Sequence, residues 1–267
     1  MNTKIEKIDN VAQTLLIALY IKALESKNSD PIIQDEQAIE LVEKIDFDFS
    51  KLKIPKITRI TAAMRAKQFD SWVRKFLVKN PDGVVVDIGC GLDTRFHRVD
   101  NGKVLWYDLD LAGVIELREK LLSRTDRNYY ISGSVFDFHW MDELHAKDGK
   151  GILFIAEGVL MYLKMLDVQK LFIEIRDRFP GSEIVFDACS RFMAKNSKRH
   201  PTLKATSLSF LWGINDGHEI ESWMNGIRLL EKWSYFNQDE KRLGLFKLFR
   251  WIPIVKNLFK IYCFRFV

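Results

Sequence analysis

The chain has 267 residues, which is long enough for one large α/β domain with a complete core. Its apolar content of 47% and charged content of 29% are ordinary for a globular protein and exclude extensive disorder. The net charge of +5 is modest and is not gathered in one dense block, so we expect no nucleic-acid partner. No uncharged stretch approaches the length of a membrane-spanning helix, so stable membrane insertion is not expected.

The three cysteines, Cys90, Cys189 and Cys263, are too far apart to suggest a disulfide framework or a zinc site. We therefore expect no metal. The first residues contain acids and no early apolar run of the signal-peptide type, so a cytoplasmic location is expected.

Residues 1–80 are predicted to form a helical N-terminal cap. Helical spacing of apolar residues indicates helices over 11–24, 36–45 and 60–78. Asp30-Pro31 ends the first of them, because the residue before a proline disfavours helical dihedral angles.

From residue 81 onward, short apolar runs alternate with helical segments. Val84 to Ile88 is β-branched and follows a turn, as is typical of a buried parallel strand. Further strands are predicted over 104–107, 128–135, 151–155 and 183–186, with helices over 113–122 and 166–178. This alternation predicts a Rossmann-like, doubly wound α/β sheet over residues 81–190.

Beyond residue 190 the alternation becomes irregular. Residues 191–220 are interpreted as an insertion that, with the N-terminal helices, forms a lid over the acceptor. Strands over 229–236 and 260–267 are predicted to form an antiparallel hairpin at one sheet edge. Residues 246–266 mix apolar and basic residues, and we expect a core-facing helix and strand with solvated cationic edges. Contact with an anionic membrane surface is the alternative.

The first strand runs into a glycine loop and then a helix. Gly89 and Gly91 would let the backbone pass close to a ligand, because no Cβ intervenes. A dinucleotide site would favour a third glycine where Thr94 stands, and Asp93 would repel its pyrophosphate. Asp87 suits instead a ligand that carries an ammonium and a sulfonium. The alternative is that Asp87 only caps local backbone.

Acidic residues also follow the next three strands. Asp108 and Asp110 end the second strand, where a carboxylate can accept both hydroxyls of a ribose, and we favour Asp110. Asp137 is placed to accept an adenine amino proton, with Phe138 packed on the ring. Glu157 follows the fourth strand. Because crowded carboxylates repel, acids at four strand ends predict a cationic ligand.

Four stretches together resemble the leucine carboxyl methyltransferase family, and within it the branch of small-molecule O-methyltransferases that act on polyketide-like acceptors. They are Val-Asp-Ile-Gly-Cys-Gly-Leu-Asp-Thr-Arg (86–95), Trp-Tyr-Asp-Leu-Asp (106–110), Ala-Glu-Gly-Val-Leu-Met-Tyr-Leu (156–163) and Arg-Ala-Lys-Gln-Phe-Asp (65–70). The resemblance spans about residues 8–267. Two departures, Cys90 for a common alanine and Ala66 for a common threonine, remove no charge.

The resemblance implies a class I fold that binds S-adenosylmethionine. By position it assigns Arg65 to the methionine carboxylate and the two glycines to the backbone cradle. It assigns Asp110 to the ribose, Asp137 and Phe138 to the adenine, and Glu157 to the amino group.

On the acceptor side, Arg65 and Tyr162 are the expected catalytic residues. Trp212, His200 and His218 are further candidates, although solvated loop histidines are the commoner case. No strong catalytic constellation is expected, because the cofactor supplies the reactivity and a carboxylate acceptor needs no base. A phenol acceptor would benefit from a general base.

We therefore expect an S-adenosylmethionine-dependent O-methyltransferase that acts on a hydroxyl or carboxyl oxygen of a small molecule. The alternatives are a protein C-terminal carboxyl methyltransferase and a non-catalytic cofactor-binding scaffold. A dehydrogenase comes last, because of Thr94. The sequence does not define the oligomeric state.

Overall fold

The structure, a computed structural model, describes residues 3–4, 10–145, 150–199, 208–235, 238, 240–252, 255 and 257–267. Its strands are β1 (Thr3–Lys4), β2 (Ile45–Asp46), β3 (Val84–Ile88), β4 (Leu105–Asp110), β5 (Asn128–Ser132), β6 (Ile152–Ala156), β7 (Glu183–Cys189), β8 (Ile227–Ser234) and β9 (Phe259–Phe266).

Seven of these strands form one sheet in the order β5-β4-β3-β6-β7-β9-β8. Neighbours from β5 to β7 are parallel, whereas β9 is antiparallel to both β7 and β8. The predicted doubly wound sheet and its C-terminal antiparallel hairpin are therefore confirmed. Because the carboxyl ends of all the parallel strands lie on the same side of the sheet, the residues that follow these strands meet there, and we call this side the sheet edge.

The second strand of the sheet extends further than its apolar run predicts. The run 104–107 continues through Asp110, although Asp108 is a buried acid. Arg118 compensates that charge with an ion pair of 2.6 Å, so the strand continues without leaving a carboxylate unpaired.

The helices are α1 (Asn10–Ser26), α2 (Glu36–Lys44), α3 (Lys56–Lys79), α4 (Arg95–Val99), α5 (Ala112–Leu121), α6 (Met165–Arg178), α7 (Arg191–Lys195) and α8 (His218–Glu221). The three predicted N-terminal helices are all present. Asp35 caps α2, since its Oδ1 accepts a hydrogen bond of 2.9 Å from the Ala38 amide.

The sheet is packed between two apolar layers. Leu171 and Phe172 of α6 belong to the cluster on one face, and Phe69 and Val73 of α3 belong to the cluster on the other. A third cluster joins α1 and α2 to Leu92, next to the glycine loop. The N-terminal helices are thus packed against the edge where the candidate site lies.

The expectation for residues 246–266 is only half right. Strand β9 faces the core as predicted, but the 3-10 segment Lys241–Trp251 leaves most of its apolar side chains exposed. Leu243 is buried, and Gly244, at φ 50°, then turns the chain away from the core. A core-facing helix is therefore wrong for this segment.

Candidate functional site

The glycine loop after β3 is a narrow backbone cradle. Gly89 and Gly91 have φ values of 66° and 52°, which side chains rarely adopt. A Cβ on Gly89 would lie 2.6 Å from Val159 Cγ2, and one on Gly91 would lie 2.6 Å from Leu15 Cδ2. The loop is therefore enclosed by the turn after β6 on one side and by α1 on the other.

Asp110 and Asp108 end the same strand but have different surroundings. Asp110 is partly exposed, and its two oxygens accept from the amides of Gly91, at 2.8 Å, and Leu111, at 2.7 Å. Burial raises the pKa of Asp110 despite these bonds. Asp108 is fully buried, with hydrogen bonds from Arg118, Trp106 and Asn128. Asp108 is thus a structural residue, and Asp110 is the carboxylate that faces the glycine loop.

Arg95, the last residue of the glycine motif, is fully buried among carboxylates. Its Nε donates to Asp70 at 2.8 Å, and its terminal nitrogens donate to Asp93 and Glu157. Burial opposes the charge of Arg95, but the neighbouring acids outweigh it and raise its pKa. This guanidinium therefore stays charged and joins the glycine loop to α3 and to the end of β6.

Arg65 lies at the other side of Glu157. Its Nε donates to Glu157 Oε1 at 2.8 Å and its Nη1 to Asp187 Oδ2 at 3.0 Å, while one quarter of the side chain stays exposed. The second oxygen of Asp187 accepts from the Gly158 amide at 2.6 Å. Burial raises the pKa of Asp187. The structure therefore brings together two predicted residues, Arg65 and Glu157, with one that was not predicted.

These ion pairs form one continuous cluster at the sheet edge. In the described part of the chain it contains four cations and six acids: Lys22, Arg65, Arg95, Arg98, Asp35, Asp70, Asp87, Asp93, Glu157 and Asp187. Of the strand-end acids whose crowding predicts a cationic ligand, Asp87 and Glu157 belong to this cluster, and its cations compensate four of its six acids. An excess of two acids remains.

Asp87 is the least satisfied member of the cluster. Its Oδ2 is buried without a hydrogen-bond partner, and the nearest cationic nitrogen, Arg95 Nη1, is 4.0 Å away. Burial and the nearby charge of Asp93 raise the pKa of Asp87 well above its ordinary value. An orphaned acceptor beside a glycine cradle fits a positively charged or hydrogen-bond-donating ligand group.

The acceptor-side candidates have different positions. The ring of Tyr162 packs edge-on against Phe210, with centroids 5.3 Å apart, and burial raises the pKa of Tyr162 to about 12. Tyr162 therefore stays protonated at neutral pH and can donate a hydrogen bond. Trp212 is wrong as a pocket candidate, because it is buried in the core and its indole N–H donates to the Leu160 carbonyl at 2.5 Å. His218 is exposed beside Glu221, 2.7 Å away.

His200 lies outside the described residues. Asp137 is exposed and caps the turn that follows it, with 3.4 Å between its Oδ1 and the His139 amide. Phe138 is half-buried against the main core. Among the described residues, no hydrogen bond or ion pair joins Asp137 to the ionic cluster, so its role at adenine stays a prediction.

Three residues of this region were missed by the sequence interpretation. Arg95 belongs to the glycine motif, and a basic residue after two glycines and an acid signals a local ion pair. Asp187 interrupts the apolar run 184–189 of β7, which is a usable signal. Tyr235 is buried at the end of β8, close enough to Arg65 for that charge to act on it, while burial raises its pKa. No sequence pattern points to Tyr235.

The fold and the site define an S-adenosylmethionine-dependent methyltransferase of class I. Similar folds include a protein from Streptomyces avermitilis, with a TM-score of 0.60, 14% identity, and 95% of this chain and 97% of that chain covered. A second is an S-adenosylmethionine-dependent methyltransferase from Mesorhizobium loti, with a TM-score of 0.51, 16% identity, and coverage of 73% and 96%. The glycine cradle and the orphaned Asp87 oxygen fit this cofactor.

The chain belongs to the leucine carboxyl methyltransferase family, whose sequence profile matches residues 15–176. It is 33% identical over 229 residues to the tetracenomycin polyketide synthesis O-methyltransferase TcmP of Streptomyces glaucescens, covering 85% of this chain and 84% of that protein. It is also 27% identical over 255 residues to an S-adenosyl-L-methionine-dependent methyltransferase of Gibberella zeae, with 87% and 84% covered.

Gly89→Ala tests the closeness of the cradle, and Gly102→Ala is its matched control. Both glycines have positive φ, but nothing lies within 4 Å of a Cβ at Gly102. We expect Gly102→Ala to lower the free energy of unfolding by about 1 kcal/mol through backbone strain alone. Gly89→Ala should cost roughly 1–3 kcal/mol more, because of overpacking against Val159. Urea unfolding measures both, Val159→Ala should restore part of the loss, and equal costs would contradict the packing.

Asp87→Asn tests the burial of this carboxylate. An acid whose pKa is raised on folding favours the folded state at low pH, and that contribution is lost as the pH rises through the raised pKa. The uncharged variant should therefore be more stable than the wild type near about pH 8, and the difference should shrink towards about pH 4. The exposed Asp126→Asn is the control, and a variant less stable than wild type at every pH would refute the assignment.

Proposed function

We propose that this protein transfers the methyl group of S-adenosylmethionine to a hydroxyl or carboxyl oxygen of a small molecule. The observation that carries the proposal is the glycine cradle beside an acid-rich cluster in which one buried carboxylate oxygen, that of Asp87, has no partner. S-adenosylmethionine has a net positive charge and suits such a site, because opposite charges attract strongly where water is excluded.

The residues around the cradle would hold the cofactor at several points. Gly89 and Gly91 have no Cβ and would let the cofactor approach the backbone closely. Asp110 would accept hydrogen bonds from the ribose hydroxyls. Asp137 and Phe138 would contact the adenine. When bound, S-adenosylmethionine supplies a methyl group activated by its attachment to a sulfonium.

The amino-acid end of the cofactor would lie at the arginine and carboxylate pairs. Arg65 is charged, a quarter exposed, and held by two carboxylates, so it can bind a carboxylate without moving far. Glu157, which pairs with Arg65, and Asp87, whose buried oxygen has no partner, would balance an ammonium group. Leu15 of α1, packed against Gly91, helps to exclude water from this region.

Aromatic residues support an acceptor of flat, ring-containing shape. Tyr162 and Phe210 are in contact, and both Tyr162 and Tyr235 are close enough to feel the charge of Arg65. With raised pKa values, the two phenols donate hydrogen bonds and do not act as bases. They would orient an acceptor oxygen, which a carboxylate offers already ionised.

The relatives favour oxygen as the methylated atom. TcmP is named as a polyketide O-methyltransferase, and the family profile is that of a leucine carboxyl methyltransferase. Both names refer to oxygen acceptors. The extensive mutual coverage with TcmP favours a small molecule, and methylation of a protein C-terminus is the second candidate because of the family profile.

Asp110→Ala tests the nucleoside contact. We expect micromolar-range affinity of the wild type for S-adenosylmethionine and for S-adenosylhomocysteine. Loss of about 3 kcal/mol from two hydrogen bonds to a charged group should weaken both roughly 100-fold. Isothermal titration calorimetry measures the affinities. Asp126→Ala, at an exposed loop position, is the control and should bind as the wild type does; an unchanged Asp110→Ala affinity would contradict the assignment.

A mass-spectrometric assay tests the acceptor. Purified protein is incubated with S-adenosylmethionine and polycyclic phenols, aromatic hydroxy acids or a peptide ending in leucine. We expect one methyl group on an aromatic acceptor and none on the peptide. Tyr162→Phe, which removes one hydrogen-bond donor, should lower kcat/KM by about tenfold and leave the cofactor affinity unchanged. Methylation of the peptide alone would establish the second candidate, and methylation of nitrogen would refute the proposal.

A further inference from the structure

Residues 241–252, which we call the basic apolar segment, expose an unusual set of side chains. Five large apolar residues are exposed within eight positions: Leu245, Phe246, Leu248, Trp251 and Ile252. Single exposed apolar residues are normal on protein surfaces, but a contiguous group marks a contact surface. This segment is therefore shaped for a partner that takes up apolar side chains.

The charge of the same region is entirely of one sign. Residues 241–267 contain seven Lys and Arg residues and no Asp or Glu. Because the whole chain has a net charge of +5, the first 240 residues carry a net charge of −2. The positive charge of the protein is thus concentrated in the same C-terminal stretch of the sequence as the exposed apolar residues.

The segment is anchored at its start and turned outward after it. Leu243 is buried in the same apolar cluster as Ile60 and Met64 of α3. Arg242 pairs with Glu25 of α1 at 2.7 Å and with Glu240 at 3.2 Å. The chain then turns at Gly244, and the exposed apolar side chains follow. The exposed apolar side chains are therefore held on the surface by a segment that is anchored to the folded chain.

The combination of charge and apolar exposure selects among partners. A nucleic acid would match the charge but would leave the leucines and the indole in water. A second copy through the same segment would bring like charges together, which is unfavourable. An anionic lipid surface takes both, since apolar side chains enter the interface while basic ones meet the phosphates.

We propose that the basic apolar segment binds the protein peripherally to anionic lipid membranes. Trp251 and Leu245 enter the boundary between headgroups and acyl chains, and Lys241 lies at the phosphates. The contact lies on the surface, and no helix of the described residues is long and apolar enough to cross a bilayer. The inference goes beyond the proposed catalytic function and does not depend on it.

Vesicle sedimentation tests the inference with the full chain. Vesicles of phosphatidylcholine with phosphatidylglycerol are compared with vesicles of phosphatidylcholine alone. We expect at least about tenfold stronger binding to the anionic vesicles, and a marked loss at about 0.5 M salt, because salt screens surface charges. Equal binding to both vesicles, or binding to neither, would overturn the proposal.

Matched variants test whether vesicle binding depends on this segment or on any exposed apolar residue. Leu245 and Leu248 are 83% and 59% exposed, and Val78 and Leu166, elsewhere on the surface, are 81% and 65% exposed. The double variant Leu245→Ser/Leu248→Ser should bind anionic vesicles at least about tenfold more weakly, because less apolar area is buried. Val78→Ser/Leu166→Ser should bind within about twofold of the wild type.

Two charge-reversal variants test the contribution of the basic residues. Lys241→Glu should weaken binding several-fold, because each basic residue near an anionic surface contributes, and the exposed Lys79→Glu should not. A concentration-dependent dimer that only Leu245→Ser/Leu248→Ser removes, without vesicle binding, would overturn the proposal in favour of a second copy. Affinity for S-adenosylmethionine stays unchanged in all four variants, so failure here leaves the catalytic proposal intact.

Discussion

The buried guanidinium of Arg95 holds three elements of the site together. It has no exposure, lies 5.3 Å from the ring centroid of Phe69, and is bound by Asp70, Asp93 and Glu157. A buried charge is costly unless it is fully paired, so each of these contacts must form when the chain folds. One side chain thereby fixes α3, the glycine loop and the end of β6 relative to one another.

This arrangement explains how the site can be acidic without being unstable. The cations compensate most of the carboxylates, Asp87 keeps an oxygen without a partner, and burial raises the pKa values of Asp87 and Asp187. A positively charged ligand would relieve that excess, since it offers the attraction that the protein itself leaves incomplete. In the proposed function, stability and ligand selection at this edge would follow from one charge distribution.

Local patterns in the sequence predict much of the fold. The β-branched run from Val84 to Ile88, the alternating helices and the glycine loop depend on neighbouring residues, and their signals are strong. The contact of Arg65 with Asp187 joins residues 122 positions apart, which no local pattern contains. The sequence also does not predict that Leu245 is exposed, because an apolar residue indicates burial but not which surface buries it.

A crystal structure of the complex with S-adenosylhomocysteine would show where on the sheet the cofactor binds. We expect the nucleoside to lie along Gly89 and Gly91, with its ribose hydroxyls on Asp110 and its amino-acid end between Asp87 and Arg65. A nucleoside bound away from the glycine loop, with the buried oxygen of Asp87 still unpartnered, would contradict it.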